Sequence, residues 1–307
     1  MIVFIFKRLA LAIPTMLVLI ILSYVLMHLA PGGPFTSERA VPPEILANLE
    51  ARYGLDQPLY QQISTYVWNV VRHFDFGPSF VYKDRSVNDI IAQGFPVTLT
   101  YGSIAFVLAV VVGVSLGVLA AIYHNTWLDY LTVGIAIGAQ VLPNFVMAPL
   151  LVLVFTLMLG WLPGGGWGGG ELKYMVLPVI ALSTSFMASI ARITRSSMLE
   201  TLNANFIRTA RAKGLPMHRI VLGHALKPAM LPVVSYLGPA FVAMITGSVV
   251  IDSFFSTGGI GKFFVNAALN RDYSVMMGIT ILMGLLTIVF NLVVDVLYAW
   301  IDPKIRY

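Results

Sequence analysis

The sequence predicts an all-α integral membrane protein with six transmembrane helices, and three observations carry that prediction. Of the 307 residues, 58% are hydrophobic and 11% charged, with a mean hydropathy of +0.84; a soluble domain carries about a quarter charged residues. Six stretches stay apolar over the roughly 20 residues that a helix needs to cross a hydrocarbon core. The cations are also unevenly placed. Seven of them (Arg192, Arg195, Arg208, Arg211, Lys213, Arg219 and Lys227) fall in one polar island, 192–227, against a single acid, Glu200. Such an excess in a loop marks the cytoplasmic side.

The first span covers 9–29, and Lys7 and Arg8 before it place the N-terminus inside. It is too long for the apolar core of a signal peptide, and Ala30-Pro31-Gly32-Gly33-Pro34 is a poor cleavage site, so the span is retained. The exterior segment 31–96 mixes charges of both signs. Pro42-Pro43-Glu44 reads as a helix start. From Tyr60 to Phe74, Val67, Val70 and Val71 recur at helical spacing. This segment is either a solvated connector or a contact surface for an external partner.

The other spans are 97–123, 131–158, 175–191, 229–251 and 273–294. Alternation puts 192–227 and the C-terminus, with Lys304 and Arg306, inside. Pro14, Pro143, Pro149 and Pro178 lie within spans and predict kinks. The glycine-rich turn 162–170 reads as flexible, with Trp161 and Trp167 as interfacial anchors. Within the island, Asn205 is placed to cap a short helix over 206–213 that Gly214 and Pro216 terminate. A short basic helix facing the cytoplasm suits docking onto a soluble partner.

Several chemistries are excluded. The net charge of +5 does not point to nucleic acid, because the cations sit between apolar segments and form no folded basic face. Without cysteine there is no thiolate nucleophile or cysteine metal site. His28, His73, His124, His218 and His224 lack metal-ligand spacing, so no metal or cofactor is expected. Gly258-Gly259-Ile260-Gly261-Lys262 resembles a phosphate loop but has Ser256 at the earlier glycine position and Phe263 after the lysine. No catalytic constellation is present. Asp252 and Asp295 stand only at span ends, whereas proton- or sodium-coupled carriers keep ionisable groups near mid-membrane. Energy is expected to enter from outside the chain.

Asn205-Phe206-Ile207-Arg208-Thr209-Ala210-Arg211-Ala212-Lys213-Gly214-Leu215, with His224-Ala225-Leu226-Lys227 downstream, resembles the cytoplasmic "EAA" loop of bacterial ABC importer permeases. Gly54-Leu55-Asp56-Gln57-Pro58-Leu59-Tyr60, Asp75-Phe76-Gly77-Pro78-Ser79, Arg271-Asp272-Tyr273, Pro34-Phe35-Thr36 and Asp302-Pro303-Lys304 are similar to the branch serving oligopeptides, dipeptides and nickel. The chain departs from the family's exterior motif in having Asp252 for Glu and Gly258 for Pro, which is expected to loosen that turn.

The resemblance implies a permease subunit in the bacterial inner membrane, with both termini cytoplasmic. Its parts are a first helix (1–30), a periplasmic segment (31–96) and a transmembrane domain (97–307) with a coupling loop at 192–228. It implies a homologous second permease, two cytoplasmic ATP-binding subunits and an exterior peptide-binding protein as partners. Asn205, Phe206, Ile207, Arg208, Thr209, Ala210, Arg211, Ala212, Lys213 and Gly214 would form the coupling helix. Phe206 and Ile207 would fill a groove on the ATPase, and the cations would set charge and register. Arg192, Arg195 and Arg219 read as cations at lipid headgroups. Gln140, Asn144, Ser185, Tyr236 and Thr246 are mid-span candidates for the cargo pathway. Oligopeptides are the implied cargo; dipeptides, nickel, glutathione or heme are alternatives within the class, and a secondary carrier or channel is the rival outside it.

Overall fold

The computed structural model describes residues 2–29 and 43–301. The 30–34 turn, the 34–36 stretch and the 302–307 end lie outside the described residues. The helices are α1 (Ile2–Leu29), α2 (Pro43–Tyr53), α3 (Leu59–His73), α4 (Val87–Ile122), α5 (Trp127–Val141), α6 (Asn144–Leu151), α7 (Leu172–Leu202), α8 (Asn205–Ala212), α9 (Met217–Ile220), α10 (Leu226–Phe255), α11 (Ile260–Asn270) and α12 (Tyr273–Ile301). A π-helical turn, Val152–Met158, extends α6, and another, Val221–Ala225, joins α9 to α10. Among the described residues there is no strand, only an isolated bridge between Pro78 and Ser86.

Among the described residues, five helical runs are long and apolar enough to cross a membrane: α1, α4, α7, α9 through α10, and α12. A sixth crossing is formed if α5 and α6 count as one span, although they are bent by 104°. Six crossings therefore match the hydropathy pattern, with three adjustments. The third is not a kinked helix but a broken one. Pro143 has no N–H to continue the ladder, and Leu142 before it is extended at φ −80 and ψ 111. The second begins ten residues earlier than expected, at a capping box in which Ser86 and Asp89 satisfy each other's backbone N–H. The fourth continues past residue 191 to Leu202, so Arg192 and Arg195 are helical.

Helices α4 and α7 form the most extensive pair, and the sequence explains why. Ala105, Ala109, Gly113, Gly117 and Ala121 recur every four residues on α4 and are all buried. A Cβ at Gly117 would lie 2.5 Å from the Ala191 carbonyl oxygen, and one at Gly113 2.8 Å from that of Met187. Small side chains let the two backbones touch, which is the main attraction available to helices in lipid. The central core joins these helices to α6 and α10 through Tyr101, Ala148, Leu177, Leu182, Met244 and Phe255. A second cluster binds α1, α3, α11 and α12 at the end that carries α2 and α3. A third lies under α8. Arg8 and Asp295 join α1 to α12 across 3.0 Å.

The glycine-rich turn is docked instead of hanging free: the Gly166 N–H donates to the Phe255 carbonyl at 2.6 Å. Trp161 is exposed, as an interfacial anchor should be, but Trp167 packs inward on the central core. A close backbone approach explains the difference, because a Cβ at Gly165 would meet the Phe255 carbonyl oxygen at 2.6 Å.

Candidate functional site

The island folds into a two-sided helix held at one end of the bundle. After α7 the chain turns through Asn203 and Ala204, whose N–H groups donate to Glu200 and Thr201 carbonyls at 3.2 and 3.0 Å. Ala204, extended at φ −67 and ψ 152, is the N-cap of α8, and no side chain caps it. Asn205 is instead the first helical residue, exposed, so its expected capping role is not observed. The Ala204 carbonyl, accepting from the Ile207 and Arg208 N–H groups, starts the helix. The end follows the expected chemistry. Gly214 takes φ +73, its N–H donates to the Arg211 carbonyl at 2.9 Å, and Leu215 N–H reaches the Ala210 carbonyl at 3.3 Å. This paired closure needs a left-handed residue, which glycine adopts without a Cβ penalty. Pro216 then caps α9.

The inner face of α8 is Ile207 and Ala210, three residues apart and buried against Ala121, Met198, Leu202, Ile220, Val221 and Ala225. Ile207 is 0% exposed. It therefore anchors the helix to its own chain and is not available to a partner's groove, a correction to the sequence reading. Only Phe206, 50% exposed, offers a large apolar surface there. Asn205, Arg208, Thr209, Arg211, Ala212, Lys213 and Gly214 are exposed beside it.

Arg195, two helical turns before the end of α7, does not reach for lipid headgroups. Its guanidinium donates to Asp129 through Nε at 2.6 Å and Nη2 at 2.8 Å. Asn125 N–H adds a bond at 3.0 Å, and His124 Nδ1 lies 3.0 Å from the same carboxylate. Nothing in the sequence pairs residues 66 apart; the contact depends on α4 and α7 packing closely enough to bring the α4–α5 turn beside α7.

Of the pathway candidates, the structure brings two together: Ser185 Oγ lies 3.4 Å from Asn144 Oδ1, joining α7 to α6 just past the break. Gln140 is exposed on α5. Tyr236 packs on the central core, and the Thr246 hydroxyl donates to the Val242 carbonyl of its own helix at 2.9 Å.

The profile of the family described as "Binding-protein-dependent transport system inner membrane component" matches residues 113–307. The chain belongs to that family. The profile of the N-terminal part of such membrane components matches residues 1–102. Over 307 residues, and 100% of both chains, this inner membrane component is 60% identical to the oligopeptide transport system permease protein OppB of Escherichia coli strain K12. It is 58% identical, with the same coverage, to the protein of that description from Haemophilus influenzae. Over 69% of this chain, its fold is similar to 96% of a chain from a solved structure described as an inward-facing conformation of the MetNI methionine ABC transporter, with a TM-score of 0.59 at 17% identity.

At the opposite end of this inner membrane component, two carboxylates do work that the sequence did not signal. Asp252, 0% exposed, accepts from Tyr101 Oη at 2.5 Å, Thr98 Oγ1 at 3.1 Å, Gly261 N–H at 3.0 Å and the Thr257 hydroxyl. It is a buried joint between α4, α10 and α11, not an isolated charge at a span end. The phosphate-loop lookalike is thereby accounted for: the Ile260 and Gly261 N–H groups bond Thr98 and Asp252. The turn is not loosened by its departures from the motif. Gly258 takes φ +80, which proline cannot adopt, and Asp252 ties both sides of the turn. Asp272 does the same for the segment before α4, accepting from the Ser79 hydroxyl and from the N–H groups of Phe80 and Val81 at 3.1 and 3.2 Å.

Proposed function

We propose that the chain is one of two homologous permease subunits of an ATP-driven importer of oligopeptides, itself non-catalytic. Separate cytoplasmic subunits bind and hydrolyse ATP, and an exterior binding protein delivers the peptide. The observation that carries this reading is the construction of α8, an exposed cationic face fixed by Ile207 and Ala210 to the ends of α4, α7 and α10. The full-length relatives described as oligopeptide permeases support the cargo.

In this reading both termini and α8 face the cytoplasm, and α2, α3 and α11 face the exterior. The 1–30, 31–96 and 97–307 parts act as first helix, periplasmic segment and transmembrane domain, with the 192–228 loop as the coupling element. Phe206 enters the partner's groove, while Arg208, Arg211 and Lys213 set charge and register. When ATP closes the ATPase pair, the docked helices move together. The anchoring pad passes that movement to α4, α7 and α10, and the cavity changes its open side. Two states separated by a few kcal/mol are sufficient for docking to bias them. The polar groups Gln140, Asn144, Ser185, Tyr236 and Thr246 border the pathway, which the second permease completes.

The native chain has no cysteine, so single cysteines at 206 and 211 provide a clean test in the assembled complex. Each should crosslink to an ATP-binding subunit, and uptake of trialanine into proteoliposomes should require ATP. Uptake driven by a proton or sodium gradient, with no crosslink from either position, would sink the reading.

A further inference from the structure

Helix α5 is unusual in what it buries. Its outward side chains include Tyr130, Leu131, Ile135, Ile137 and Val141, all exposed, and its one buried side chain is Asp129. A helix normally docks through an apolar stripe; this one is held at its first turn by a carboxylate. That carboxylate is 2% exposed and gripped by both prongs of Arg195, with His124 Nδ1 3.2 Å from Arg195 Nη2 on the open side. A buried ion pair is a weak way to add stability but a good way to fix one arrangement among alternatives.

The position of the pair gives it a direction. Arg195 lies seven residues before the end of α7, about 10 Å along the helix axis, and only Asn203 and Ala204 separate α7 from α8. Past the 104° break, the Ser185–Asn144 contact holds α6 to the same helix. Thus α7 touches α8 at its tip and grips the broken crossing by a polar contact on either side of the bend. Gly134 and Gly138 of α5 would have open space around an added Cβ, so that face of the helix meets nothing else in the chain, and its packing is onto α7 and α4.

We infer that the Asp129–Arg195 pair is the clasp that makes α5 follow α7 when α8 is moved, so both are positioning residues for transport. This rests on the reading of α8 as the ATPase-docking helix. Without the clasp, the docked subunits can still hydrolyse ATP, but less of the movement reaches α5 and the pathway beside it.

The test uses the complete transporter in proteoliposomes, with trialanine uptake and ATP hydrolysis measured together. Asp129→Asn and Arg195→Gln should each lower peptide imported per ATP by about tenfold, within the usual range for coupling between sites. Arg195→Lys, which keeps the charge but not the two-pronged grip, should lie between. Spin labels at positions 130 and 196 supply a readout that a loss of stability would not move. Their separation should stay constant between nucleotide-free and ATP-analogue-trapped states in the parent, and become state-dependent in Asp129→Asn. A transport ratio within twofold of the parent in both neutral variants, or identical label behaviour in parent and variant, would overturn the clasp and leave the docking reading standing. An unchanged ratio in an Arg208→Glu/Arg211→Glu variant would overturn the docking reading, and the clasp with it.

Discussion

Apart from the Asp129–Arg195 pair, the two ends of the bundle handle charge in opposite ways. At the α8 end, cations stand outward on a helix whose inner face is aliphatic. At the other end, Asp252 and Asp272 are fully buried and turned onto donors of their own chain. A carboxylate whose lone pairs are occupied internally makes a fixed joint, since any movement strands a buried donor. A cationic face on an apolar pad is, in the proposed reading, a joint left for another molecule to complete. On the proposed docking, the same bundle closes one end chemically and leaves the other open to a partner. Substitutions should divide accordingly, into those that unfold and those that uncouple.

The largest loss of stability should come from Asp252→Ala. It removes the shared acceptor of Tyr101, Thr98, Thr257 and Gly261. Stranding several buried donors costs on the order of 4 kcal/mol. The unfolding midpoint in detergent should fall steeply, while Asp252→Glu, which keeps the acceptor, should recover most of it. A midpoint unchanged in Asp252→Ala would mean that this end is not locked through Asp252.

Ile207→Ala should come next, at about 3 kcal/mol for a buried aliphatic truncation that cannot fully collapse. It breaks the comparison in an informative way, because Ile207 sits on the proposed docking helix yet belongs to the core. Thermal unfolding should report the loss, and crosslinking from position 206 should weaken only as the helix loosens from its pad. If Ile207→Ala left stability intact but abolished crosslinking, Ile207 would be a docking residue after all.

The difference between the ends also separates what was legible in the sequence from what was not. Six crossings and the cationic end follow from hydropathy and charge, which are local properties summed over a window. The Gly214 turn is equally local, set by a terminator and a following proline. Asp252 and Asp129 were illegible for the opposite reason. Their partners lie on other helices, at residues 98, 101 and 261 for the first and 195 for the second. No one-dimensional pattern joins such residues. Ile207 was misassigned because an eight-residue helix has two faces, and the sequence does not say which one its own chain covers. The signal available was the three-residue spacing of Ile207 and Ala210, with Arg208 and Arg211 each one position further along.

Gly214→Ala should have a smaller effect. There is open space for the methyl group, so the penalty is conformational: a non-glycine residue at φ +73 costs about 1 kcal/mol. The unfolding midpoint should drop slightly and uptake should persist. Gly214→Pro is the sharper version, because it forbids the positive φ and deletes the N–H bonded to Arg211. Uptake should be lost while the subunit remains inserted in the membrane. Normal transport by the proline variant would show that the closing turn of α8 is irrelevant to coupling.

The smallest change in stability should accompany Arg208→Glu/Arg211→Glu. Both side chains are exposed on α8, and surface substitutions of this kind shift stability by less than about 0.5 kcal/mol each. On the proposed docking, however, the reversal sets like charges where complementary ones are needed. A misplaced charge in an interface opposes the correct register and slows encounter. Purified protein should unfold within a degree or two of the parent, while crosslinking from position 206 and ATP-dependent uptake disappear together. The effect should also respond to salt: partial docking should recover as ionic strength screens the repulsion. Loss of uptake with crosslinking intact would move the role of these arginines from docking to a later step, and loss of stability would place them in the fixed architecture that Asp252 typifies.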